Sequence, residues 1–458
     1  MKLNHSSDNF ATKCLDRGHV VSVEGLQYGD EGKGKVITAL QDHFKYVVRA
    51  QGGGNAGHTI EVNKQKVVLN HLPSGLAGKE TTGVLGQGMV INIKTVQDEI
   101  KRLEGAGKQM KGENNIVLMG GAQFILPSLQ GALDGHFSGS IGSTNRGIGP
   151  AYALQALRLP LTFNDMVYYP NQCVEAFKFL CNSFRENVQL DFQKIASEFQ
   201  EHKDILDALF KDKYISFDAE NSVVLNAYYK KDPILLEGAQ AQLLDLKQGT
   251  YPFVTSSNTT FSGLMNGSGC PDIHTRIGVI KPYTTRVGGG PFMSQLLDEQ
   301  QEADFVEKVG EKGATTGRVR GVGYANGVEL RRSVQSSKPD FLAVTKLDVL
   351  REMGERTKMV NAYKNQVDGR VYTKTLPPVQ ELEGRNKRYY KNILPEYIDI
   401  AVPQEDISGI TSFQDIPESY HEYISTLLGI AEFKGESVLI GTGPGVDAFC
   451  VADIDYSS

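Results

Sequence analysis

The sequence lacks the features that mark secreted, membrane-spanning or metal-cluster proteins. Its five cysteines are odd in number and scattered, with no metal-ligand spacing, which predicts a reduced, cytoplasmic setting. Residues 1–16 are polar and contain no apolar centre of a secretion signal. No apolar run approaches the ~18 residues of a membrane-spanning helix. We therefore expect no membrane partner.

An excess of basic charge is also missing. The chain has 48 Lys and Arg residues against 54 Asp and Glu residues, and a net charge of −6, which argues against general binding to nucleic acids. A local basic pocket for phosphates is compatible with this balance. Internal repeats, low-complexity tracts and a convincing linker are absent as well. We therefore expect a polar leader over residues 1–18 and one domain over residues 19–458.

Apolar runs alternate with helical patterns along most of the chain. This alternation predicts an α/β fold, a single large domain similar to P-loop NTPases, whose mainly parallel central sheet is flanked by helices, with small helical and hairpin subregions. Strands are predicted at 20–26, 45–49 and 437–440, helices up to about residue 42, within 171–231 and at 298–311, and a hairpin from 359–363 to 370–375.

A glycine-rich stretch from Gly29 to Lys35 follows the first predicted strand. Its spacing is typical of a loop whose backbone amides surround a phosphate at a helix N-terminus. Val36 stands where a Ser or Thr usually holds Mg²⁺, and Asp30 lies inside the loop. A carboxylate among phosphate-binding amides costs electrostatic energy, so Asp30 is predicted to take part in chemistry. The alternative is a strand-to-helix turn without a ligand.

Other polar loops follow predicted strands, where ligands gather in open α/β sheets. The loop 51–59 contains Asn55 and His58, and Gly57 permits close approach of a ligand. Ser143 and Thr144 offer hydroxyl groups to a phosphate, and the amide of Gln240 can read a base edge. Each loop by itself is also compatible with a solvated turn.

A strand ending in Thr-Lys-Leu-Asp348 is predicted to select guanine. The carboxylate of Asp348 can accept hydrogen bonds from N1–H and the 2-amino group, while the stem of Lys346 lies along the ring. Adenine lacks this pair of donors, so the pattern favours GTP over ATP. The tetrapeptide alone also occurs by chance.

Seven motifs occur in one order and together resemble the adenylosuccinate synthetase family. The resemblance spans roughly residues 19–450, and the motifs are residues 29–35, 52–59, 146–152, 250–258, 285–292, 313–318 and 345–350.

The resemblance implies that GTP, L-aspartate and IMP react to give adenylosuccinate, GDP and phosphate, with Mg²⁺ as cofactor. Asp30 matches the base that removes the N1 proton of IMP, so that O6 attacks the γ-phosphate and a 6-phosphoryl intermediate forms. His58 matches the acid that stabilises the transferring group, and Lys33 stabilises developing charge. Gln240 contacts the hypoxanthine. Asp30 and the Gly57 carbonyl hold Mg²⁺.

The same resemblance implies the binding residues and a homodimer in which Arg158 reaches the partner's site. The GTP set is Gly29, Asp30, Glu31, Gly32, Lys33, Gly34, Lys35, Gly57, His58, Thr59, Arg320, Lys346, Leu347, Asp348, Gly441, Thr442 and Gly443. The IMP set is Asp30, Lys33, Asn55, Ala56, Gly57, His58, Thr144, Arg158, Gln240, Thr255 and Arg318. The aspartate set is Ala314, Thr315, Thr316, Gly317, Arg318, Val319 and Arg320.

Several positions depart from the family pattern and bear on nucleotide preference. They are Gly54, Asn70, Asn145, Gly441 and Gly445-Val446. Two other interpretations therefore compete with IMP–aspartate ligation: a related ligase acting on a guanine nucleotide such as dGMP, and a guanine-nucleotide switch or non-catalytic homologue. Asp30 favours IMP because its carboxylate must face the N1 edge.

Overall fold

The computed structural model describes residues 1–457 apart from 7–8, 79, 113–114, 138–142, 287–288, 291, 297, 312–319 and 375–391. The strands are β1 (Lys2–His5), β2 (Val20–Gly25), β3 (Tyr46–Arg49), β4 (His58–Val62), β5 (Gln65–Leu69), β6 (Thr82–Leu85), β7 (Val90–Ile91), β8 (Ile116–Met119), β9 (Gln123–Phe124), β10 (Ser216–Asp218), β11 (Ile234–Glu237), β12 (Thr275–Ile280), β13 (Thr284–Arg286), β14 (Gly321–Gly323), β15 (Ala325–Asn326), β16 (Phe341–Val344), β17 (Arg356–Asn365), β18 (Val371–Tyr372), β19 (Ile393–Ala401), β20 (Ser437–Gly441) and β21 (Phe449–Asp455). The α-helices are α1 (Phe10–Asp16), α2 (Lys33–Leu40), α3 (Ile93–Gly105), α4 (Ala132–Phe137), α5 (Ile148–Ala156), α6 (Phe163–Tyr168), α7 (Pro170–Phe184), α8 (Phe192–Lys211), α9 (Val223–Tyr229), α10 (Phe261–Ser268), α11 (Glu299–Val309), α12 (Gly327–Ser337) and α13 (Glu418–Ile430).

A large central sheet organises the molecule. Its strand order is β1-β21-β20-β16-β12-β2-β11-β3-β6-β8-β10. The strands from β20 to β10 pair in parallel, and only β21 and β1 at one edge are antiparallel. The inner strands are almost fully buried, which is usual for a parallel sheet covered on both faces. The predicted α/β domain with a mainly parallel sheet is confirmed.

Strand β1 and helix α1, from the segment expected to be a polar leader, belong to this sheet and its cover. Strand β1 pairs antiparallel with β21, with Lys2 opposite Asp455. Helix α1 buries Phe10, Ala11 and Cys14. These three side chains recur at helical spacing and form one apolar face, which packs on the sheet together with residues of β2 and α2.

The helical region after residue 170 forms a separate layer over the β6–β10 half of the sheet. Phe177 is fully buried, and Val174, Cys181, Phe184 and Val188 are partly buried against the same core. These side chains, which recur at three- and four-residue steps, therefore belong to the core. Among the described residues, no helix combines the length and the apolar character needed to cross a bilayer.

A smaller sheet carries the predicted hairpin. Tyr363 of β17 pairs with Tyr372 of β18, which confirms the turn through Asp368-Gly369. The main partner of β17 is β19, over Arg356 to Asn365, and sequence reasoning missed this strand.

Parallel pairing brings the carboxyl ends of β2, β3, β11, β12, β16 and β20 to one edge of the large sheet. The polar loops at 29–35, 51–59, 238–240 and 345–348 follow β2, β3, β11 and β16, so the topology collects them in one region. The loop with Ser143 and Thr144 comes instead between α4 and α5.

Candidate active site

The loop between β2 and α2 is shaped by residues with positive φ. Gly29, Asp30 and Gly32 have φ angles of 88°, 61° and 89°, and Gly32 directly precedes the first residue of α2. A non-glycine residue in this region is uncommon and often marks a functional site. At Gly25 a Cβ atom would lie 2.2 Å from Oε2 of Glu31, so the strand end has no room for a side chain. The predicted glycine-rich turn is present.

Glu31 places its carboxylate inside this loop. One oxygen accepts hydrogen bonds from the backbone N–H groups of Gln27 (3.2 Å) and Gly29 (2.8 Å). The other accepts from Nζ of Lys33 at 2.8 Å. The carboxylate is fully buried. Glu31, predicted with the GTP set, thus binds the amides and the lysine of its own loop.

Asp30 faces the opposite way, into the cleft. Its carboxylate is 35% exposed, and Oδ2 lies 2.7 Å from Nε of Arg320. A carboxylate that is accessible and paired with a single cation can exchange that partner for a ligand. Glu31 is buried, so the loss of its partners would cost more free energy. The structure therefore brings together Asp30 and Arg320, two members of the predicted GTP set.

A buried carboxylate that sequence reasoning missed connects this pair to the predicted base reader. Glu311 accepts from Arg320, from Lys346 (2.6 Å), from Lys281 (3.3 Å) and from the hydroxyl of Tyr283 (2.6 Å). Burial alone would raise the pKa of Glu311, but the three cations lower it far below its usual value. Burial lowers the pKa of Lys281 to about 8. This network fixes Arg320 and Lys346 around one anion.

His58 is held by a carboxylate at the end of β11. Its Nδ1 lies 2.6 Å from Oε1 of Glu237 and 2.9 Å from the hydroxyl of Ser74. Ser74 donates its own N–H and O–H to the same carboxylate, both at 2.8 Å. The Nδ1–H tautomer follows from this network, and it turns Nε2 toward the cleft.

The pKa values of Glu237 and His58 are both shifted by burial and by neighbouring charges. Burial alone would raise the pKa of Glu237, but His58 and the neighbouring Arg49 lower it below its usual value. Burial lowers the pKa of His58, against the opposing effect of Glu237. The resting pair is therefore a carboxylate beside a neutral imidazole. Sequence reasoning did not assign Glu237 a role, although a carboxylate directly after the apolar run 234–236 was a usable signal.

Three residues predicted to hold IMP meet on one side of the cleft. Gln240 donates from Nε2 to Oδ1 of Asn55 at 3.1 Å, and Asn55 donates to the hydroxyl of Thr255 at 3.5 Å. The backbone of Gln240 has a φ of 54°. Its Oε1 is buried and accepts no hydrogen bond from the residues that the structure describes. A polar group held in this way is suited to receive a ligand donor.

One cavity of about 940 Å³ joins these groups. The predicted residues that line it are Gly29, Asp30, Gly32, Lys33, Gly34, Lys35, Asn55, Ala56, Gly57, His58, Thr59, Thr144, Gln240, Thr255, Arg320 and Lys346. Its volume is in the range of small-molecule sites. Tyr28 and Arg286 also line the wall, with the guanidinium 4.3 Å from the centre of the tyrosine ring.

Of the predicted guanine readers, Lys346 lines this cavity, whereas Leu347, Asp348 and Gly441 border it. Leu347 and Asp348 begin the 3-10 helix after β16, and Gly441 ends the neighbouring strand β20. Burial raises the pKa of Asp348, while Lys35, Lys346 and Arg351 oppose that shift. The base readers therefore adjoin the phosphate loop from the side of β16 and β20.

Among the described members of the predicted IMP set, Arg158 does not line the cavity of this chain. It follows α5, has a φ of 61° and is exposed. Of the aspartate set, residues 314–319 lie outside the described part of the chain, and Arg320 is the member whose position is known.

The backbone around Gly54 is crowded by side chains of other loops. A Cβ atom at Gly54 would lie 3.2 Å from Nε2 of His71, and Arg146 donates to the Gly54 carbonyl. Asn70 donates to the carbonyl of Ala56 at 2.6 Å. These departures from the family pattern thus support the 52–59 loop rather than disrupt it.

Residues 22–450 match the family model described as adenylosuccinate synthetase. The chain belongs to the adenylosuccinate synthetase family. A relative from Chromohalobacter salexigens, named adenylosuccinate synthetase, is 36% identical over 440 residues, covering 93% of this chain and 96% of the relative. Adenylosuccinate synthetase 1 of Pseudoalteromonas translucida is 37% identical over 446 residues, covering 93% and 97%.

Solved structures agree with this assignment. Fully ligated adenylosuccinate synthetase from Plasmodium falciparum superposes with a TM-score of 0.81 at 30% identity, covering 94% of this chain and 99% of that one. A cyanophage S-2L succinoaminodeoxyadenylate synthetase, bound to dGMP and dATP, gives a TM-score of 0.58 at 15% identity, covering 94% and 95%. At that identity the second likeness concerns the fold alone.

Membership in the adenylosuccinate synthetase family confirms the resemblance seen in the sequence and makes the chain an enzyme of the ligase class. The family uses GTP. The roles of individual site residues stay predictions.

Proposed function

We propose that the protein is a GTP-dependent ligase that joins L-aspartate to IMP through a 6-phosphoryl-IMP intermediate, in the AMP branch of purine nucleotide synthesis. The observation that carries this proposal is that Asp30 and His58 line one cavity with opposite chemical character. One is an accessible carboxylate in a phosphate loop, and the other is an imidazole backed by a buried carboxylate.

In the first step Asp30 removes the N1 proton of IMP. The electron pair passes to O6, which attacks the γ-phosphate of GTP, and GDP leaves. A carboxylate can act as this base only while its oxygens are accessible, and the exposure of Asp30 meets that condition. Lys33 offers a cation beside the same loop for the charge that develops during transfer.

His58 stabilises the negative charge on the transferred phosphoryl group, on the side away from Asp30. Its Nδ1–H is engaged by Glu237, so Nε2 is the atom available to substrate. The ionised Glu237 supports an imidazolium when negatively charged substrates come close, and that imidazolium donates to the phosphoryl group and O6. The amine of aspartate then displaces phosphate from C6, because phosphate is a far better leaving group than the original oxygen.

The residues present fit a magnesium ion. Among the described residues no three His, Cys, Asp or Glu side chains form a metal-binding cluster, but Mg²⁺ held with substrate phosphates needs only one or two protein carboxylates. Asp30 and the carbonyl of Gly57 would hold it. The ion supplies neutralisation of phosphate charge when bound.

We assign the three substrates to residues of the cavity wall and of the loops beside it. We assign Asn55, Thr144 and Thr255 to the IMP phosphate and Gln240 to the hypoxanthine. Further members of the predicted sets keep their assignments: GTP at Gly29–Lys35, Thr59, Lys346–Asp348 and Gly441–Gly443; IMP also at Ala56, Gly57 and Arg318; aspartate at Ala314–Arg320.

We further infer a cytoplasmic homodimer. Arg158 is exposed and does not line the cavity of its own chain, which supports the assignment of this side chain to the site of a second copy. All five cysteines are free thiols, in keeping with a reducing compartment.

One coupled assay tests the proposed reaction. Phosphate release is followed while IMP, aspartate and GTP are omitted one at a time, and dGMP is then supplied in place of IMP. We expect release only when all three substrates are present, and none with dGMP. Equal GTP hydrolysis without IMP and aspartate would overturn the ligase, and turnover with dGMP would favour the related guanine-nucleotide enzyme.

A further inference from the structure

Lys35, the last residue of the phosphate-loop motif, directs its ammonium group away from the loop. Nζ donates to the carbonyl groups of Gly443 and Ala448, the latter at 3.0 Å. It also lies 3.8 Å from the centre of the Phe449 ring. Two carbonyl groups and one aromatic face thus surround a cation that the motif assigns to phosphate.

These three contacts belong to one structural unit, which we call the 442–449 turn. It consists of the residues between β20 and β21 together with Phe449, the first residue of β21. Thr442 closes the turn by donating its N–H to the carbonyl of Ala448 at 2.9 Å, the same oxygen that Lys35 binds. The hydroxyl of Thr442 donates to the carbonyl of Ile410 at 2.7 Å. Lys35 is therefore one of the side chains that tie this turn to the rest of the fold.

An ammonium group has three N–H donors, and carbonyl groups already take two of them. The aromatic face adds an electrostatic attraction for the same charge. Burial lowers the pKa of Lys35 to about 8, and Asp348 opposes this shift. Lys35 therefore lies between the phosphate loop and the residues assigned to the guanine base.

We propose that Lys35 is a positioning residue for base selection, which holds the 442–449 turn in place beside the guanine site and does not act as a phosphate ligand. This inference rests on the proposed binding of GTP. It assigns phosphate contact within the loop to backbone amides and to Lys33, the lysine hydrogen-bonded inside the loop. Because Lys35 contacts the ring of Phe449, we expect Phe449 to help hold the turn in the same position.

The proposal is tested by comparing ligands that share a triphosphate and differ in the base. Calorimetry measures the affinity of GTP, of ITP, which lacks the 2-amino group, and of inorganic tripolyphosphate, which has no base. The variants are Lys35→Met, Lys35→Arg and Phe449→Leu. Lys101→Met, on the exposed face of α3, is the control for loss of a lysine charge.

We expect Lys35→Met to weaken GTP about tenfold, the size of a lost pair of hydrogen bonds, and to reduce the preference for GTP over ITP. Tripolyphosphate affinity should stay within about twofold. Phe449→Leu should shift the same preference in the same direction, and Lys35→Arg should retain part of it.

An equal loss for GTP, ITP and tripolyphosphate would make Lys35 a phosphate ligand and overturn the proposal. An unchanged base preference in both Lys35→Met and Phe449→Leu would overturn it as well. Because affinities are measured without turnover, a wild-type enzyme that binds GTP but fails to ligate aspartate to IMP refutes the proposed function and leaves this inference standing.

Discussion

Oε1 of Glu237 lies 2.6 Å from Nδ1 of His58, at the point where β11 ends. Because the carboxylate is buried and ionised, it fixes the tautomer of the imidazole and raises the affinity of its other nitrogen for a proton. This arrangement resembles the general scheme in which a carboxylate orients a catalytic histidine. We therefore predict that Glu237 positions His58 for the proposed reaction.

Glu237→Gln should lower kcat roughly 100-fold while GTP and IMP still bind, because removing one stabilising group of this kind typically has that effect. Glu237 raises the pKa of His58, so its loss should move the descending alkaline limb of the pH–rate profile to lower pH. The profile of kcat against pH measures this. An alkaline limb at unchanged pH would contradict the positioning role of Glu237. The matched control is Glu61→Gln, on the exposed side of β4.

Asp30→Asn should abolish turnover, because the amide cannot accept the N1 proton, while its similar size preserves the loop. Nucleotide affinity, measured by calorimetry without Mg²⁺, should change by less than about threefold. Asp42→Asn, exposed just after α2, removes the same charge outside the cavity. Near-normal turnover of Asp30→Asn would refute the base assignment.

Asp348→Asn should weaken GTP at least about tenfold, which corresponds to ~1.4 kcal/mol. The reason is that the carboxylate accepts from two donors of guanine and the amide from only one. Preference for GTP over ITP should fall in parallel. Competition between the two nucleotides gives the result, with Asp399→Asn on the exposed face of β19 as control. A constant preference would exclude Asp348 as the base reader.

Subunits carrying Asp30→Asn and subunits carrying Arg158→Leu should complement each other when mixed. If dimers form at random, half are hybrids with one intact site of two, so activity should return to about a quarter of the wild type. Each variant alone should stay inactive. Failure of the mixture to recover activity, with hybrid dimers verified by mass spectrometry, would exclude the shared site.

Glu24 offers a test of stability against pH. Neither carboxylate oxygen accepts a hydrogen bond from the described residues, and burial, with the nearby charge of Asp245, raises its pKa well above 4.5. A raised pKa in the folded state means that the favourable contribution is present below pH 4.5 and is lost as pH rises toward the folded-state pKa.

Glu24→Leu should therefore stabilise the fold at pH 7 by about 1–3 kcal/mol, because it removes a buried polar group without partners. The gain should shrink toward pH 4. Urea midpoints at the two pH values measure it. A gain of equal size at both would show that packing, and not ionisation, is responsible.

The sequence predicted local structure correctly where a short motif is compatible with only one conformation. The apolar run before Gly29 and the helix after Gly32 formed as expected, because a buried parallel strand and a glycine turn leave few alternatives. The predicted IMP-binding residues Asn55, Gln240 and Thr255 meet in one network, although 185 and 200 residues separate Asn55 from the other two. The resemblance to a family, and not local spacing, made that grouping predictable.

The missed features are those that depend on distant pairing. Strand β1 is short and polar in sequence, and only the partner strand β21 gives it a place in the sheet. Glu311 follows an ordinary helix. Nothing local reveals that Lys281 after β12, Arg320 before β14 and Lys346 after β16 converge on it. Charges brought together by tertiary structure leave no pattern in a single stretch of sequence.

The carboxylate of Glu31 holds the loop in its curved shape before nucleotide binds. Because this internal anion occupies amides of Gln27 and Gly29, the curvature of the loop is built into the protein and does not have to be induced by nucleotide. Each catalytic cycle then begins from a rigid receptor, and little of the binding energy of GTP is spent on ordering the chain.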